Sequence, residues 1–159
     1  MVDKMIWIFD LDQTVIDSSH RAIDGVTPSA FLRDWKSHSR EQILQDALLP
    51  LGKFMKHLIA KNEFVMICTA RNMSGADFEL LDNLGINCKV IISRGANDNR
   101  QDADYKLARI SQFIKANGYE KRDIVLFDDK QEIREVVSTL PNVNCFDPRS
   151  YNGGGAYVH

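Results

Sequence analysis

The sequence predicts an α/β fold built on a doubly wound parallel sheet of about five strands. Five short apolar runs, bounded by polar turn residues, have the composition of buried strands: residues 5–9, 64–68, 88–92, 124–127 and 143–146. The segments between most of these runs show helical periodicity. Strands that alternate with helices form right-handed crossovers, which produce a parallel sheet covered on both faces.

The periodicity of the helical segments is that of amphipathic helices. Leu107, Ile110 and Ile114 follow the spacing i, i+3, i+7. A second set follows i, i+3, i+4, i+7 and consists of Ile133, Val136, Val137 and Leu140. Gly85 and Gly118 come just after predicted helices, where glycine commonly forms the C-cap.

A helical insert, residues 17–62, separates the first predicted strand from the second. We expect no strand in it, but three helices around residues 29–36, 41–48 and 50–61, with Pro50 suited to the first turn of the last helix. The insert is either a small cap over the site or a set of helices that decorates the sheet. With 159 residues, the chain is predicted to form a single domain over residues 1–159.

Charge and cysteine content exclude several classes of protein. With 20 basic and 22 acidic residues, the net charge is -2, so no overall field attracts nucleic acid or an anionic membrane. The number of cysteines is odd, and the three residues, Cys68, Cys88 and Cys145, are widely spaced. This pattern favours buried thiols over disulfides or a zinc site. Without a recognisable signal peptide or an apolar run of ~20 residues, we expect a cytoplasmic protein without membrane contact and leave the oligomeric state open.

Acidic residues follow the first and fourth predicted strands directly. Asp10, Asp12 and Thr14 come after the first strand, and Asp128 and Asp129 come after the fourth. Acids in such positions also serve as turn residues or helix N-caps, so the first group alone is a weak signal. Two such groups are more informative, because the carboxyl ends of parallel strands meet at the ligand-binding edge of the sheet.

Hydroxyl and cationic side chains are predicted at the same edge. Thr69 and Arg71 follow the second strand, and Asp102 and Lys106 share one face of a helix start. Carboxylates 4 Å apart repel by about 4 kcal/mol per pair at an effective dielectric near 20, so a cation must compensate. Oxygen ligands without histidine or thiolate favour Mg²⁺, while Lys106 and Arg71 suit phosphoryl oxygens.

Taken in order, these residues resemble the four motifs of the haloacid dehalogenase (HAD) superfamily, which implies a Rossmann-like fold. The matching residues are Asp10, Asp12 and Thr14, then Thr69, Lys106, and the pair Asp128 and Asp129. The resemblance implies that Asp10 forms an aspartyl-phosphate and that Asp12 protonates the leaving oxygen and then activates water. An acid at Asp12 favours a phosphatase over a dehalogenase. Gln13 departs from the family, which commonly has glycine there.

The same resemblance implies two groups of ligands. Thr69 and Lys106 would bind the phosphoryl group, with Arg71 beside them. Mg²⁺ would be held by Asp10, the backbone carbonyl of Asp12, and Asp128 or Asp129.

A closer resemblance is to the 3'-phosphatase domain of bacteriophage-type polynucleotide kinase-phosphatases. Arg21 follows Asp10 by eleven residues, Thr69 and Arg71 flank an alanine, and Asp102 precedes Lys106 by four residues. This resemblance implies that Arg21, Arg71 and Asp102 are catalytic, with Asp102 orienting Lys106 or Arg71. The sequence has no phosphate-binding loop of the kinase type.

The leading hypothesis is a Mg²⁺-dependent phosphomonoesterase acting on nucleotide or polynucleotide 3'-phosphate ends. A 5'-nucleotide or small-metabolite phosphatase is the alternative enzyme. There are two alternatives that are not enzymes: a phospho-acceptor signalling domain and an inactive binding module. The order of the motifs argues against the phospho-acceptor domain. Phe31 and Trp35, four residues apart, are either core residues or a base-stacking pair.

Overall fold

The computed structural model describes residues 4–21 and 39–153, except for the side chain of Arg21. The strands are β1 (Ile6–Phe9), β2 (Ile16–Asp17), β3 (Ala47–Leu48), β4 (Phe64–Cys68), β5 (Val90–Ile92), β6 (Ile124–Phe127) and β7 (Val143–Phe146). The α-helices are α1 (Arg40–Ile43), α2 (Pro50–Ala60), α3 (Gly75–Leu84), α4 (Asp102–Asn117), α5 (Gln131–Val137) and α6 (Arg149–Asn152). A 3₁₀ helix covers Ser19–Arg21.

The main sheet has the order β5-β4-β1-β6-β7, and all its neighbouring strands are parallel. Strand β1 is central, because Ile6 pairs with Phe64 of β4 on one side and with Ile124 of β6 on the other. The carboxyl ends of these three strands therefore lie side by side. The predicted fold class is confirmed.

The sheet is covered by apolar residues on both faces, which explains why its strands are almost continuously apolar. One face carries Phe9, Val65 and Ile67 and packs against residues from α2 and α3, among them Leu51, Met55, Leu80 and Leu81. The other face carries Ile6, Ile8, Met66 and Leu126 and packs against residues from α4 and α5, among them Ile110, Ile114, Ile133 and Val137.

The helix ends follow the sequence signals. Helix α3 begins at a capping box formed by Ser74 and Asp77. The C-caps Gly85 and Gly118 have φ of 75° and 69°, in the left-handed region where glycine is unstrained. Both glycines were predicted as C-caps, and both predictions are confirmed.

The expectation of a strandless insert is wrong, because β2 and β3 pair antiparallel and place Ile16 opposite Leu48. The predicted helix over residues 41–48 is also wrong beyond Ile43. Leu49 is extended, with φ -83° and ψ 162°, since a residue before proline is disfavoured in helical conformation. The helix predicted over residues 50–61 is confirmed as α2. The helix predicted around residues 29–36, with Phe31 and Trp35, lies outside the described residues.

All three cysteines are free, as expected. Cys68 is buried, and its burial raises the thiol pKa to about 12, but Cys88 and Cys145 are only half-buried. The prediction of buried thiols therefore applies to Cys68 alone. Among residues 4–21 and 39–153, no helix is long and apolar enough to cross a membrane.

Candidate active site

The loop after β1 presents the first two carboxylates of the site. It folds back tightly, since the backbone N–H groups of Val15 and Ile16 both donate to the carbonyl of Leu11, at 3.0 and 3.1 Å. Gln13 has a φ of 61°, which glycine adopts without strain. Gln13 thus adopts a backbone conformation that would suit the glycine that is common at this position in the superfamily.

Asp10 and Asp128 share the ammonium group of Lys106. The Lys106 Nζ lies 2.8 Å from Asp10 Oδ1 and 2.5 Å from Asp128 Oδ2, and all three residues are buried. Thr14 Oγ1 donates to the other oxygen of Asp10, at 3.2 Å. Lys106 comes from α4, whereas the two acids follow β1 and β6, so the sheet edge and one helix together build this cluster.

A third carboxylate, that of Asp129, completes an acidic group that can hold a cation. One carboxylate oxygen from each of Asp10, Asp128 and Asp129 lies within 4.8 Å of the others. Burial and the neighbouring charges, above all that of Asp10, raise the pKa of Asp129 to about 9 and that of Asp128 to about 6. A set of hard oxygen donors that resists full ionisation fits a divalent cation such as Mg²⁺.

Asp12 lies in a second cluster around Arg71. The guanidinium Nε donates to Asp12 Oδ2 at 3.1 Å, Nη2 donates to Asp12 Oδ1, and Nη1 donates to Asp77. Ser18 Oγ donates to Asp12 Oδ1 at 2.8 Å. Arg71 is 1% exposed, and the surrounding carboxylates hold its pKa above the usual value. Arg71 therefore contacts the predicted acid–base residue.

Thr69 and Asp46 border this second cluster. Thr69 is buried at the end of β4, and its Oγ1 accepts from the backbone N–H of Arg71 at 3.0 Å. Asp46, which immediately precedes β3, has an oxygen 4.0 Å from Arg71 Nη2. Its other oxygen lies 2.7 Å from His20 Nε2, so the insert reaches the site through this buried carboxylate.

Asp102 has partners other than the predicted Lys106 or Arg71. Its carboxylate accepts from Arg94 Nη2 at 2.9 Å and from Lys130 Nζ at 2.7 Å. Arg94 also donates to the carbonyl of Ala70 at 2.8 Å, which ties the loop after β5 to the end of β4. Asp102 thus links the loops that carry the site residues. The side chain of Arg21 is outside the described part of the chain.

The structure therefore places most of the predicted residues in two adjoining clusters, while Asp102 contacts Arg94 and Lys130 beside them. Four of them form the cation and nucleophile cluster: Asp10, Lys106, Asp128 and Asp129. Sequence reasoning missed Ser18, Asp46 and Asp77, which contact Asp12 or Arg71. Arg94 was expected only as part of an arginine-containing loop that the 3'-phosphatase resemblance implies, and the structure shows that it contacts Asp102. Only Asp77 carried a local signal, as the acid of the capping box that begins at Ser74.

Comparison with known proteins shows the family to which the chain belongs. The family model described as "Bacteriophage T5 5'-deoxynucleotidase" matches residues 1–153. The 5'-deoxynucleotidase of Escherichia phage T5 is 38% identical over 88 residues, covering 52% of this chain and 35% of that protein. The chain thus spans about a third of the length of this curated relative.

Two solved structures illustrate the likeness of fold. A chain of the Pnkp1/Rnl/Hen1 RNA repair complex superposes with a TM-score of 0.60 at 20% identity, covering 91% of this chain and 42% of that one. A haloacid dehalogenase-like hydrolase from Streptococcus pneumoniae gives 0.62 at 13% identity, covering 93% and 96%. The fold is that of haloacid dehalogenase-like hydrolases, as the motifs predicted, and the chain belongs to the bacteriophage T5 5'-deoxynucleotidase family.

Proposed function

We propose that the protein is a Mg²⁺-dependent phosphomonoesterase that removes the 5'-phosphate of deoxynucleoside monophosphates through an aspartyl-phosphate on Asp10. The observation that carries the proposal is the buried Asp10, held between Lys106 and the Asp128–Asp129 pair. The nucleotide substrate is taken from the matching family and the phage T5 relative. Since the chain spans only part of that relative, the transfer of its activity belongs to the proposal.

The donor set fits Mg²⁺, which Asp10, Asp128 and Asp129 would hold with the backbone carbonyl of Asp12. When bound, the ion supplies positive charge that keeps all the carboxylates ionised and offsets charge on the phosphoryl oxygens. Lys106 adds a fixed positive charge next to Asp10 and Asp128, and it is almost fully buried, where electrostatic stabilisation is strongest.

The reaction would proceed in two displacements. In the first, an oxygen of Asp10 attacks phosphorus, the bond to the 5' oxygen breaks, and the leaving oxygen receives a proton from the Asp12 carboxyl. In the second, Asp12 takes a proton from water as the water oxygen attacks phosphorus. Inorganic phosphate leaves, Asp10 is regenerated, and Asp12 is again protonated for the next cycle.

Arg71 supports the reaction through Asp12. Its Nε and Nη2 donate to Asp12 and its Nη1 donates to Asp77. This arrangement favours a positioning role over the direct phosphate contact expected from the sequence. Thr69 remains a proposed phosphoryl ligand at the end of β4. The cytoplasmic location expected from the sequence stays a prediction.

A substrate panel tests the proposal. Phosphate release would be measured from deoxynucleoside 5'-monophosphates, ribonucleoside 5'-monophosphates, deoxynucleoside 3'-monophosphates and a 3'-phosphorylated oligonucleotide, each with Mg²⁺ and with EDTA. We expect the highest kcat/KM with deoxynucleoside 5'-monophosphates and no turnover in EDTA. A preference for the 3'-phosphorylated oligonucleotide would restore the 3'-phosphatase hypothesis, and no release from any substrate would reject a phosphatase.

A further inference from the structure

We infer that Asp46 is a positioning residue that receives the guanidinium of Arg71 when Asp12 turns away from it to exchange a proton. The inference rests on the proposed function, since it concerns the acid–base step assigned to Asp12. It assigns a role in that step to the insert, which contributes Asp46 and its partner His20.

The geometry shows one donor nitrogen facing two acids. Arg71 Nη2 donates to Asp12 Oδ1, and the same nitrogen lies 4.0 Å from Asp46 Oδ2. Asp77 accepts from Nη1 at the other side of the guanidinium. A small rotation about the Asp77 contact would thus bring Nη2 from Asp12 within hydrogen-bonding distance of Asp46.

The proposed chemistry requires such a transfer. Both carboxylate oxygens of Asp12 accept from Arg71, so neither is free while this contact lasts. An acid that protonates the leaving oxygen must present one of those oxygens to the substrate. Arg71 is 1% exposed, so water cannot replace the lost acceptor, and an unpaired buried guanidinium is strongly disfavoured.

Asp46 is built into the fold in a way that suits this role. Its side chain is fully buried, and its second oxygen is held by His20 at 2.7 Å. The next residue, Ala47, pairs with Asp17 in the β2–β3 ladder, and β2 follows directly from the loop that carries Asp12. The short ladder therefore fixes Asp46 relative to Asp12 through the backbone.

The test compares two leaving groups in the first displacement. A nucleoside 5' oxygen needs a proton as it leaves, whereas 2,4-dinitrophenolate leaves without one. For Asp46→Asn, we expect single-turnover cleavage of a deoxynucleoside 5'-monophosphate to slow by about tenfold or more, a part of what general acid catalysis contributes. With 2,4-dinitrophenyl phosphate as substrate, the rate of the first-turnover burst of 2,4-dinitrophenolate should not change. The KM for the nucleotide should also be unchanged.

Two further variants and one control variant extend the test. His20→Ala removes a partly exposed side chain that contacts Asp46. This variant should also slow the nucleotide reaction but not the 2,4-dinitrophenolate burst, and the slowing should be smaller than in Asp46→Asn. Asp46→Ala should match or exceed Asp46→Asn. Glu79→Gln, which removes a partly exposed acid of α3 that pairs with Arg40, should leave both rates unchanged.

The other outcomes would overturn the inference. Equal slowing of both first steps would mean that Asp46 only supports the fold. Unchanged rates with both substrates would mean that Arg71 needs no second acceptor. If the wild-type protein released phosphate from neither substrate, the proposed function would fail first, and the inference would fall with it.

Discussion

The carboxylate of Asp10 contacts both an ammonium and a hydroxyl group. It faces the ammonium of Lys106 at 2.8 Å and the hydroxyl of Thr14 at 3.2 Å, with Asp128 and Asp129 close by. In the proposed mechanism, these contacts would orient Asp10 for attack, and Lys106 would offset charge that builds up on the phosphoryl oxygens.

Asp10→Asn should lower kcat by roughly four to six orders of magnitude, the loss typical of removing a nucleophile. The amide keeps the shape of the side chain, so the circular dichroism spectrum should not change. Borohydride reduction of the wild-type enzyme during turnover should convert Asp10 to homoserine, detected by mass spectrometry. Near wild-type turnover in the variant, or no modified Asp10, would refute covalent catalysis.

The raised pKa values of Asp128 and Asp129 predict a specific dependence of stability on pH without metal. Both folded-state pKa values, about 6 and about 9, exceed the ordinary value near 4, so the folded state binds more protons in that range. The stabilisation from protonation is complete below pH 4 and is lost as pH rises toward 9. In EDTA, the free energy of unfolding should therefore include a contribution that decreases as pH rises toward 9.

Urea unfolding at pH 5, 7 and 9 measures this contribution as the difference between wild type and Asp129→Asn, whose amide cannot ionise. The wild type should lose stability relative to the variant as pH rises. At pH 7, Mg²⁺ binding should release about one proton, measured by calorimetry in two buffers. A wild type that gained stability over the variant with rising pH would contradict the assigned charges.

At this scale, the sequence predicted the residues that follow strands and missed those that hold them. Asp10, Thr69 and Asp128 were predictable because each directly follows an apolar run whose end must reach the sheet edge. Asp46 was not, because its partners His20 and Arg71 lie far away along the chain and no local pattern marks it. Asp102 was identified as a site residue, but its partners were not.

Among the elements, α2 shows how closely the insert packs against the loop after β1. A Cβ atom added to Gly52 would lie 2.5 Å from Leu48 Cδ1 and 2.7 Å from the carbonyl oxygen of Val15. The backbone carbonyl cannot rotate away like a side chain. Glycine at this position therefore allows the helix to approach the loop that carries Asp10 and Asp12.

Gly52→Ala should destabilise the protein by about 1–3 kcal/mol through overpacking, in spite of the better helix propensity of alanine. Gly75→Ala is the matched control, since a Cβ there meets nothing within 4 Å and the residue begins α3. That variant should change the free energy of unfolding by less than about 0.5 kcal/mol. If urea unfolding gives the same change in free energy for both variants, the close approach of α2 does not require glycine at position 52.

The prediction of helices and strands succeeded where apolar periodicity was strong. It failed where pairing between distant strands determined the local structure. Helices α2 and α4 followed their patterns, and the strands of the main sheet matched their apolar runs within two residues. The stretch after Ile43 contains good helix formers, but Leu48 pairs with Ile16 and Pro50 requires an extended Leu49. Such tertiary pairing overrides local propensity and leaves no periodic signal.

Across the whole molecule, one buried asparagine joins the last described helix to the site. Asn152 Oδ1 accepts from the backbone N–H of Leu51 at 2.7 Å, and its Nδ2 donates to the carbonyl of Thr14 at 3.0 Å. The first contact satisfies an N–H in the opening turn of α2 that has no partner within the helix. Three distant parts of the chain are thus fixed by one side chain.

Asn152→Ala should destabilise the protein by about 2–4 kcal/mol, because a buried N–H and a buried carbonyl lose their partners together. Asn83→Ala, on the exposed face of α3, is the control and should stay within about 0.5 kcal/mol of wild type. Thermal and urea unfolding would measure both variants. A cost for Asn152→Ala as small as that of the control would show that these hydrogen bonds do not fix the site.

The fold class and the approximate strand positions could be predicted, because alternation of strands and helices restricts an α/β chain to few topologies. The strand order was not predicted, since each strand alone carries no information on its neighbours. The order β5-β4-β1-β6-β7 is what brings the acids after β1 and β6 together.

The central position of β1 has a consequence for synthesis of the protein. Strand β1 leaves the ribosome first, yet its neighbour β6 follows by more than a hundred residues. At 5–20 residues per second, β1 waits roughly 5–20 s for that partner. During this interval Ile6, Ile8 and Phe9, all buried in the finished fold, have one edge unprotected. The strand that precedes Asp10 therefore waits much longer for its second partner than β7 waits for β6.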